Sequence, residues 1–460
     1  MISRLGFSAS LILALQPLLT VCAEDWPQWR GTHRDSVWLD TGTLETFPPG
    51  GLKVSWRAEV GGGLSSPIVA NGRVFVADSD TQQPQAVEHV RCFDEKTGKS
   101  LWTHSEEVNY PVWAFDQKNK TGPGSTPVVS EGKLYALGQA GHLKCFDVSD
   151  GKLLWDRNLT KEYELAEMSG TTPSPLIEGN LLILVIGGKQ NASVVALDKD
   201  SGKEIWRALG DRWTYSSPLV INAGGKKQLI VWTPDAVTSL DPATGKTWWR
   251  EEINSSADYG TATPVIQKDL LLVGGLMFQL ASDKASATML WPDAKGRSRK
   301  ILSQTSIPLI LGDHVYSDKS YGHLVCLEAR TGKQVWQNDK VTDLRNGACI
   351  HLTPNGNSVF LFTNLGDLIR AKLTPQGYEE LGRTHLLDPT YLFGGRNIVW
   401  PPPRIRQPTH LCPQRQGIDQ CLAKERTVST KNGKVPATLA LMPGHQENIP
   451  RTKDNVPRTK

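Results

Sequence analysis

The sequence predicts an all-β protein, a ring of eight four-stranded antiparallel units. Three observations predict it. The phrase Asp-x-x-Thr-Gly-Lys-x-x-Trp recurs at near-constant spacing, and a Ser/Thr-Pro step precedes most copies. The composition is rich in glycine (42) and tryptophan (15) and poor in methionine (5), which favours turns and large flat side chains over long helices. At 460 residues the chain exceeds one ordinary core, and 39% hydrophobic with 21% charged residues excludes wholesale disorder.

The N-terminus comes first. Met1 to Ala23 joins a basic start at Arg4 to an apolar stretch ending near Leu19, then Val21-Cys22-Ala23. This reads as a secretory signal over 1–23 with cleavage before Glu24, so the product is expected to be periplasmic or secreted. A lipoprotein reading through Cys22 is weaker, because bulky Val21 stands where a small residue is wanted. No internal apolar run reaches about 18 residues, so no membrane span is expected after the signal. Residues 24–51 form an N-terminal extension.

The repeats fill 52–403. The phrase stands at Asp94…Trp102, Asp147…Trp155, Asp198…Trp206, Asp241…Trp249 and Glu328…Trp336, with degenerate copies ending at Trp56, Trp291 and Leu381. Successive intervals from Trp56 are 46, 53, 51, 43, 42, 45 and 45 residues, each holding about four short β-rich runs. That is the content of a propeller blade. Glycine supplies the positive φ of a tight hairpin, the Asp or Thr bonds the turn backbone, and Trp wedges between neighbouring blades. Ten residues before each Trp position stand Cys92, Cys145, Ala196, Ser239, Ala281, Cys326 and Ala371, all small, as a crowded inner position requires. Equivalent cysteines in different blades are too far apart to bridge, so they are expected to be free and buried.

The hairpin phrase, the Ser-Ser-Pro step and Trp26-Pro27-Gln28-Trp29-Arg30-Gly31 resemble the exported PQQ-like β-propeller proteins, a group that includes the outer-membrane assembly factor BamB and planctomycete relatives. The resemblance covers roughly Asp25 to Pro403. It implies the fold and leaves the function open. Eight blades follow if the strand around Lys53 to Val60 completes a last blade whose inner strands lie after Leu381, which removes exposed sheet edges.

The closing sequence is atypical. Residues 404–460 contain no Phe, Tyr or Trp, and 11 Lys/Arg against 4 Asp/Glu give +7, leaving −3 of the chain's +4 for the rest. The basic balance is therefore local, and nucleic-acid binding is not expected. For suitable synonymous codons, 404–422 read one base later becomes strand-like text with a turn-like Arg-Asn-Asp-Lys. The tail thus reads as frame-shifted, or else as disordered, and the last blade as incomplete as written.

Catalytic signatures are lacking. There is no His-Glu-x-x-His, Cys-x-x-Cys, Gly-x-Ser-x-Gly or Walker loop. Relatives that oxidise alcohols hold the quinone between a Trp and a disulfide of adjacent cysteines, with calcium beside it. Here no two cysteines adjoin. No catalytic, cofactor-binding or metal residue is therefore assigned, and no cofactor is expected, with PQQ and calcium the alternative. Gly61-Gly62-Gly63 reads as a flexible lead into the first blade, and His142 and His323 as solvated turn residues.

A ligand site is expected at the channel mouth. Its candidates are the hydroxyls Ser66, Thr126, Thr172, Ser217, Thr263 and Ser306 and the linker aromatics Trp113, Trp213, Tyr215 and Tyr259. Tyr110 and Phe115 share the longest linker, and all these aromatics serve equally well as blade caps. The expected function is a monomeric, non-catalytic binding or scaffolding propeller whose partner is a protein, an envelope component or a small ligand at the channel. A quinoprotein oxidoreductase and a carbohydrate-binding propeller are the alternatives.

Overall fold

The computed structural model describes residues 24–400, apart from 42, 53, 83, 116–121, 167–170, 254–259, 293–300, 304 and 394–395, together with 421–424. Residues 1–23, expected to be a signal, and most of the basic tail lie outside the described residues. Seven four-stranded antiparallel sheets follow one another as meanders, spanning 68–108, 128–158, 176–208, 219–252, 265–291, 309–338 and 350–385. We call them blades 1 to 7. In blade 1 the strands are Ile68–Ala70, Arg73–Gln82, Gln85–Asp94 and Ser100–Val108. The first strand is fully buried, whereas the fourth alternates exposed and half-buried residues, so each blade runs outward from the ring axis.

The repeated phrase makes the turn into each outer strand. Gly98, Gly151, Gly202, Gly245 and Gly332 all have φ between +69° and +75°, where a Cβ is strained. In blade 1 the Asp94 carboxylate accepts from the Thr97 amide (2.8 Å) and hydroxyl (2.6 Å), which tightens the turn and holds the Asp94 carboxyl below its usual range.

The tryptophans join the blades. A Cβ on Gly151 would lie 2.6 Å from the Trp102 ring, and equivalent contacts place Trp155 on Gly202, Trp206 on Gly245 and Trp291 on Gly332. Each indole also donates to a carbonyl of that next blade: Trp102 to Val148 (3.2 Å), Trp155 to Lys199 (3.2 Å), Trp206 to Pro242 (3.1 Å), Trp291 to Ala329 (2.8 Å) and Trp336 to Thr374 (2.8 Å). Trp249 differs, because the turn into the outer strand of blade 5 has no glycine; its indole donates to Gln228 of its own blade (2.8 Å).

Opposite these tryptophans in register stand Cys92, Cys145, Ala196, Ser239 and Cys326, the small residues ten positions before them. Two positions differ. Trp291 faces Met277 rather than Ala281, since the hairpin between Leu276–Leu280 and Ala287–Trp291 is longer, and a bulge sets Ala371 against Glu380. Cys92, Cys145, Cys326 and Cys349 are free and buried.

Gly61-Gly62-Gly63 is not a loose lead-in. Gly62 bridges Ser79, and a Cβ on Gly61 would sit 2.2 Å from the Ser79 carbonyl, so glycine here permits close backbone approach.

The N-terminal extension has two jobs. Residues 24–40 insert along the axis and touch the innermost strands or lead-ins of blades 1, 2, 3, 5 and 7. Residues 43–59 then bridge blade 7 to blade 1. Arg370 donates to Thr43 and Leu44, Arg57 donates to the Leu386 carbonyl (3.3 Å), and Trp56 sits on Gly98 and donates to Glu95 (2.7 Å). Trp56–Glu59 pairs with Cys421–Lys424, downstream of Leu381, but in parallel. A short hairpin, Tyr391–Phe393 with Arg396–Ile398, lies nearby in sequence. Seven complete four-stranded sheets are thus described among these residues, and no eighth; the proline-rich, aromatic-free sequence after 404 offers poor strand material.

The turn glycines are expected to separate two costs. Gly132 (φ +76°) has open space around a Cβ, whereas Gly151 (φ +75°) meets the Trp102 ring. Gly132→Ala should cost about 1 kcal/mol from backbone strain alone, and Gly151→Ala a further ~1–3 kcal/mol from overpacking, read as urea midpoints.

Candidate functional site

The hydroxyls of the Ser/Thr-Pro steps gather around the axis, where they latch one blade to the next. The Ser66 amide donates to Thr126 Oγ1 (3.1 Å), the Thr126 amide to Ser174 Oγ (3.0 Å), and the Ser174 amide to Ser217 Oγ (2.9 Å). Ser306 Oγ accepts from the Ile350 amide of blade 7 (3.2 Å). In blade 3 the latch belongs to Ser174, not Thr172. The text Thr171-Thr172-Pro173-Ser174-Pro175 offers two such steps, and the second takes the equivalent place, while half-buried Thr172 packs against Gly124. Thr263 Oγ1 accepts from the Trp29 indole (2.8 Å).

The linker aromatics lie elsewhere. Tyr110 is buried and donates to Glu88 (2.8 Å), whose other donor is the Ala140 amide (2.8 Å). Tyr215 is buried against Trp213, ring centroids 5.1 Å apart. Trp113 falls in the single-turn 3-10 helix Val112–Phe115, with only its backbone described, and Tyr259 lies outside the described residues. His142 and His323 each meet a carboxylate, Glu106 and Asp339, at 2.8 Å.

What the hydroxyls surround is the chain's own N-terminal segment. Trp26 bridges Val69, and the Pro27 carbonyl accepts from the Val129 amide (2.7 Å). Arg30 donates to Ser36 (2.8 Å) and to the Pro264 carbonyl (3.2 Å), and Arg34 to the Pro175 carbonyl (2.8 Å). The segment leaves over blade 7, where Asn355 donates to the carbonyls of Trp38 (2.9 Å) and Asp40 (2.8 Å). A cavity of about 40 Å³ remains between this segment and the inner strands, lined by Trp29, Arg30, Ser66, Thr126 and His351 among others.

Charge is handled sparingly here. Burial pushes the Arg30 guanidinium down to about 10, with Asp35 acting weakly in the other direction. Arg34 falls to about 9, through burial and then the like charge of Arg30. Beside the cavity, His351 is lowered to about 4 by burial, and its Nε2 donates to the Trp400 carbonyl (2.6 Å). Cys349 Sγ lies 3.8 Å from that nitrogen, but burial and then Asp318 push the thiol well above its ordinary value. A neutral thiol beside an imidazole already bonded to a carbonyl is not an activated nucleophile.

Asp318 is wholly buried. Burial raises its carboxyl to about 8, against the smaller opposing pull of the Ser306 hydroxyl and nearby amides, and neither of its oxygens reaches a full hydrogen bond. Among the described residues no three His, Cys, Asp or Glu side chains converge as metal ligands. Sequence reasoning passed over Ser174, Asp318, His351 and the two buried arginines. Only the Trp-Arg-Gly text of the extension offered a signal.

A family model described as "Outer membrane protein assembly factor BamB" matches residues 51–191 and 86–338, together well over half of the chain. The chain belongs to this family. The BamB of Shewanella oneidensis is 24% identical over 324 residues, covering 67% of this chain and 65% of that protein. The dehydrogenase subunit of the quinone alcohol dehydrogenase of Gluconobacter oxydans is 24% identical over 198 residues, covering 40% of this chain and 24% of its own length. The chain therefore spans less than two thirds of either curated relative. Among solved structures, the quinohemoprotein alcohol dehydrogenase from Comamonas testosteroni aligns with TM-score 0.57 and 16% identity over 81% of this chain and 75% of that one, a likeness of fold.

Asp318 should give stability a pH dependence. Above about pH 4 the unfolded chain ionises this group, while the folded chain keeps the proton up to about pH 8. Its contribution to stability therefore falls as pH rises through that window. Asp318→Asn is expected to raise the urea midpoint more at pH 8 than at pH 5. An equal shift at both would show that Asp318 ionises normally.

Proposed function

We propose that this chain is an exported binding propeller that serves cell-envelope assembly through protein partners, without catalysis of its own. The observation that carries the reading is that residues 26–34 lie against the inner strands or lead-ins of blades 1, 2, 3 and 5, with Arg30 and Arg34 buried there. The cavity beside this segment has room for roughly three waters, too little for a tricyclic quinone, and His351 in its wall is held neutral with its Nε2 bonded to the Trp400 carbonyl. Neither the adjacent cysteines nor a carboxylate set for calcium occurs among the described residues, so the site does not fit a calcium–quinone pair. Family membership supports the assembly role, since that is what its relatives are named for.

The ring is read as eight-bladed. Trp56 engages Gly98 of blade 1 as Trp102, Trp155, Trp206 and Trp291 engage the turn glycine of the blade after them, which supports reading Trp56–Glu59 as the outer strand of an eighth unit whose inner strands come from after Leu381. Resequencing the coding DNA is expected to reveal a single-base frame change near codon 404. The repaired chain should melt higher than the chain as written, and an unchanged reading frame would leave the ring with seven complete blades.

Photo-crosslinking of the exported chain in intact envelopes is expected to capture a component of the outer-membrane assembly machinery. In parallel, PQQ and calcium with a dye-linked alcohol assay should give no turnover. Saturable quinone binding with turnover would replace this reading by that of a quinone-dependent alcohol dehydrogenase.

A further inference from the structure

Arg30 and Arg34 are only 5% and 4% exposed, yet among the described residues neither forms an ion pair. Arg30 uses Nε on Ser36 and Nη1 on the Pro264 carbonyl, which leaves Nη2 with no protein acceptor. Arg34 uses Nη1 on Gln28 (3.2 Å) and Pro175 and Nη2 on the Ser174 carbonyl (3.4 Å), while its buried Nε has no acceptor. Two neighbouring guanidiniums in a low-dielectric interior, answered only by neutral oxygens, leave net positive charge that several kcal/mol of desolvation oppose. The nearest carboxylate, Asp35, is exposed and accepts from the Val37 amide (2.9 Å).

A second, independent observation points to the same place. Ser66 Oγ is buried in the cavity wall and has no hydrogen-bond partner. The neighbouring Thr126 oxygen accepts from the Ser66 amide, so its hydroxyl hydrogen is left to donate. His351 has committed its Nε2–H to the Trp400 carbonyl. The groups on offer are thus a cation and two hydroxyl donors, in a cavity that Trp26 and Trp29 also line. Such a set takes an anion, and its size limits that anion to a single headgroup.

We propose that this axial cavity binds one small oxyanion, a carboxylate or a phosphate group, on Arg30, Ser66 and Thr126, and that the bound anion balances the charge of the inserted N-terminal segment. The site is built by the extension and by blades 1 and 2 together, so occupancy pins the extension inside the ring. It stands independently of the envelope-assembly reading.

Isothermal titration calorimetry and melting curves on the full chain test this, with inorganic phosphate, acetate and chloride at constant ionic strength. Saturable binding and a raised melting temperature are expected with phosphate or acetate and not with chloride, and the tighter of the two identifies the headgroup class. Ser66→Ala, which removes only an unpartnered hydroxyl, should weaken binding about tenfold, and Arg30→Gln should abolish it. If Arg30→Gln does not fold, Ser66→Ala decides alone. Absence of saturable binding for both oxyanions, or an affinity unchanged by Ser66→Ala, overturns the proposal.

Discussion

An indole lying flat on the turn glycine of the next blade is the contact from which the rest of the architecture follows. It combines a large, half-buried to buried apolar area with one directional hydrogen bond to a carbonyl across the interface. The area holds neighbouring blades together, and the hydrogen bond fixes how far one slides against the other. Glycine is required twice over, once for the positive φ and once for the space the ring occupies. Each blade touches chiefly its neighbours, so stability is passed along the ring in single steps. At Trp249 the glycine is missing and the indole turns to Gln228 in its own sheet, which leaves apolar packing against Phe278 to hold that interface.

A ring of such wedges has an axis that must be filled or wetted. Here the chain lays its own N-terminal segment across it, and the hydroxyls of Thr126, Ser174, Ser217 and Ser306 accept from amides of adjacent blades, whereas that of Ser66 has no partner. This explains why the interior carries titratable groups without activated chemistry. A proton stays on Asp318 and stays off His351 for the same reason, burial away from any compensating charge. The arginines cannot respond in that way, since guanidinium does not shed its proton in the working range, and so they are the residues that require a counter-charge.

Much of the fold was legible in the text. The Trp spacing gave the blades, the Gly-Lys turn gave the hairpins, and the small residues ten before each Trp marked a crowded position, whose pairing with Trp only the structure showed, with Met277 taking that place in blade 5. The free, buried state of Cys92, Cys145 and Cys326 followed from their equivalent places. The candidate site was less legible. Hydroxyls next to proline could be located near the axis, yet whether each would face a ligand or a neighbouring amide depended on the lateral offset between blades. Thr172 and Ser174 illustrate this, for both stand beside proline and only packing chooses between them.

Local periodicity and turn chemistry by themselves determined the all-β repeat and its blade boundaries, because those depend on short-range pattern, and the regular recurrence of Trp then marked the seams. Tertiary structure alone decided that Trp29, Arg30 and Arg34 reach blades 5 and 3, more than a hundred residues away, and that Asp318, Cys349 and His351 meet in a dry interior. Such contacts are set by where the ring brings distant backbones together, and no short-range pattern encodes that distance.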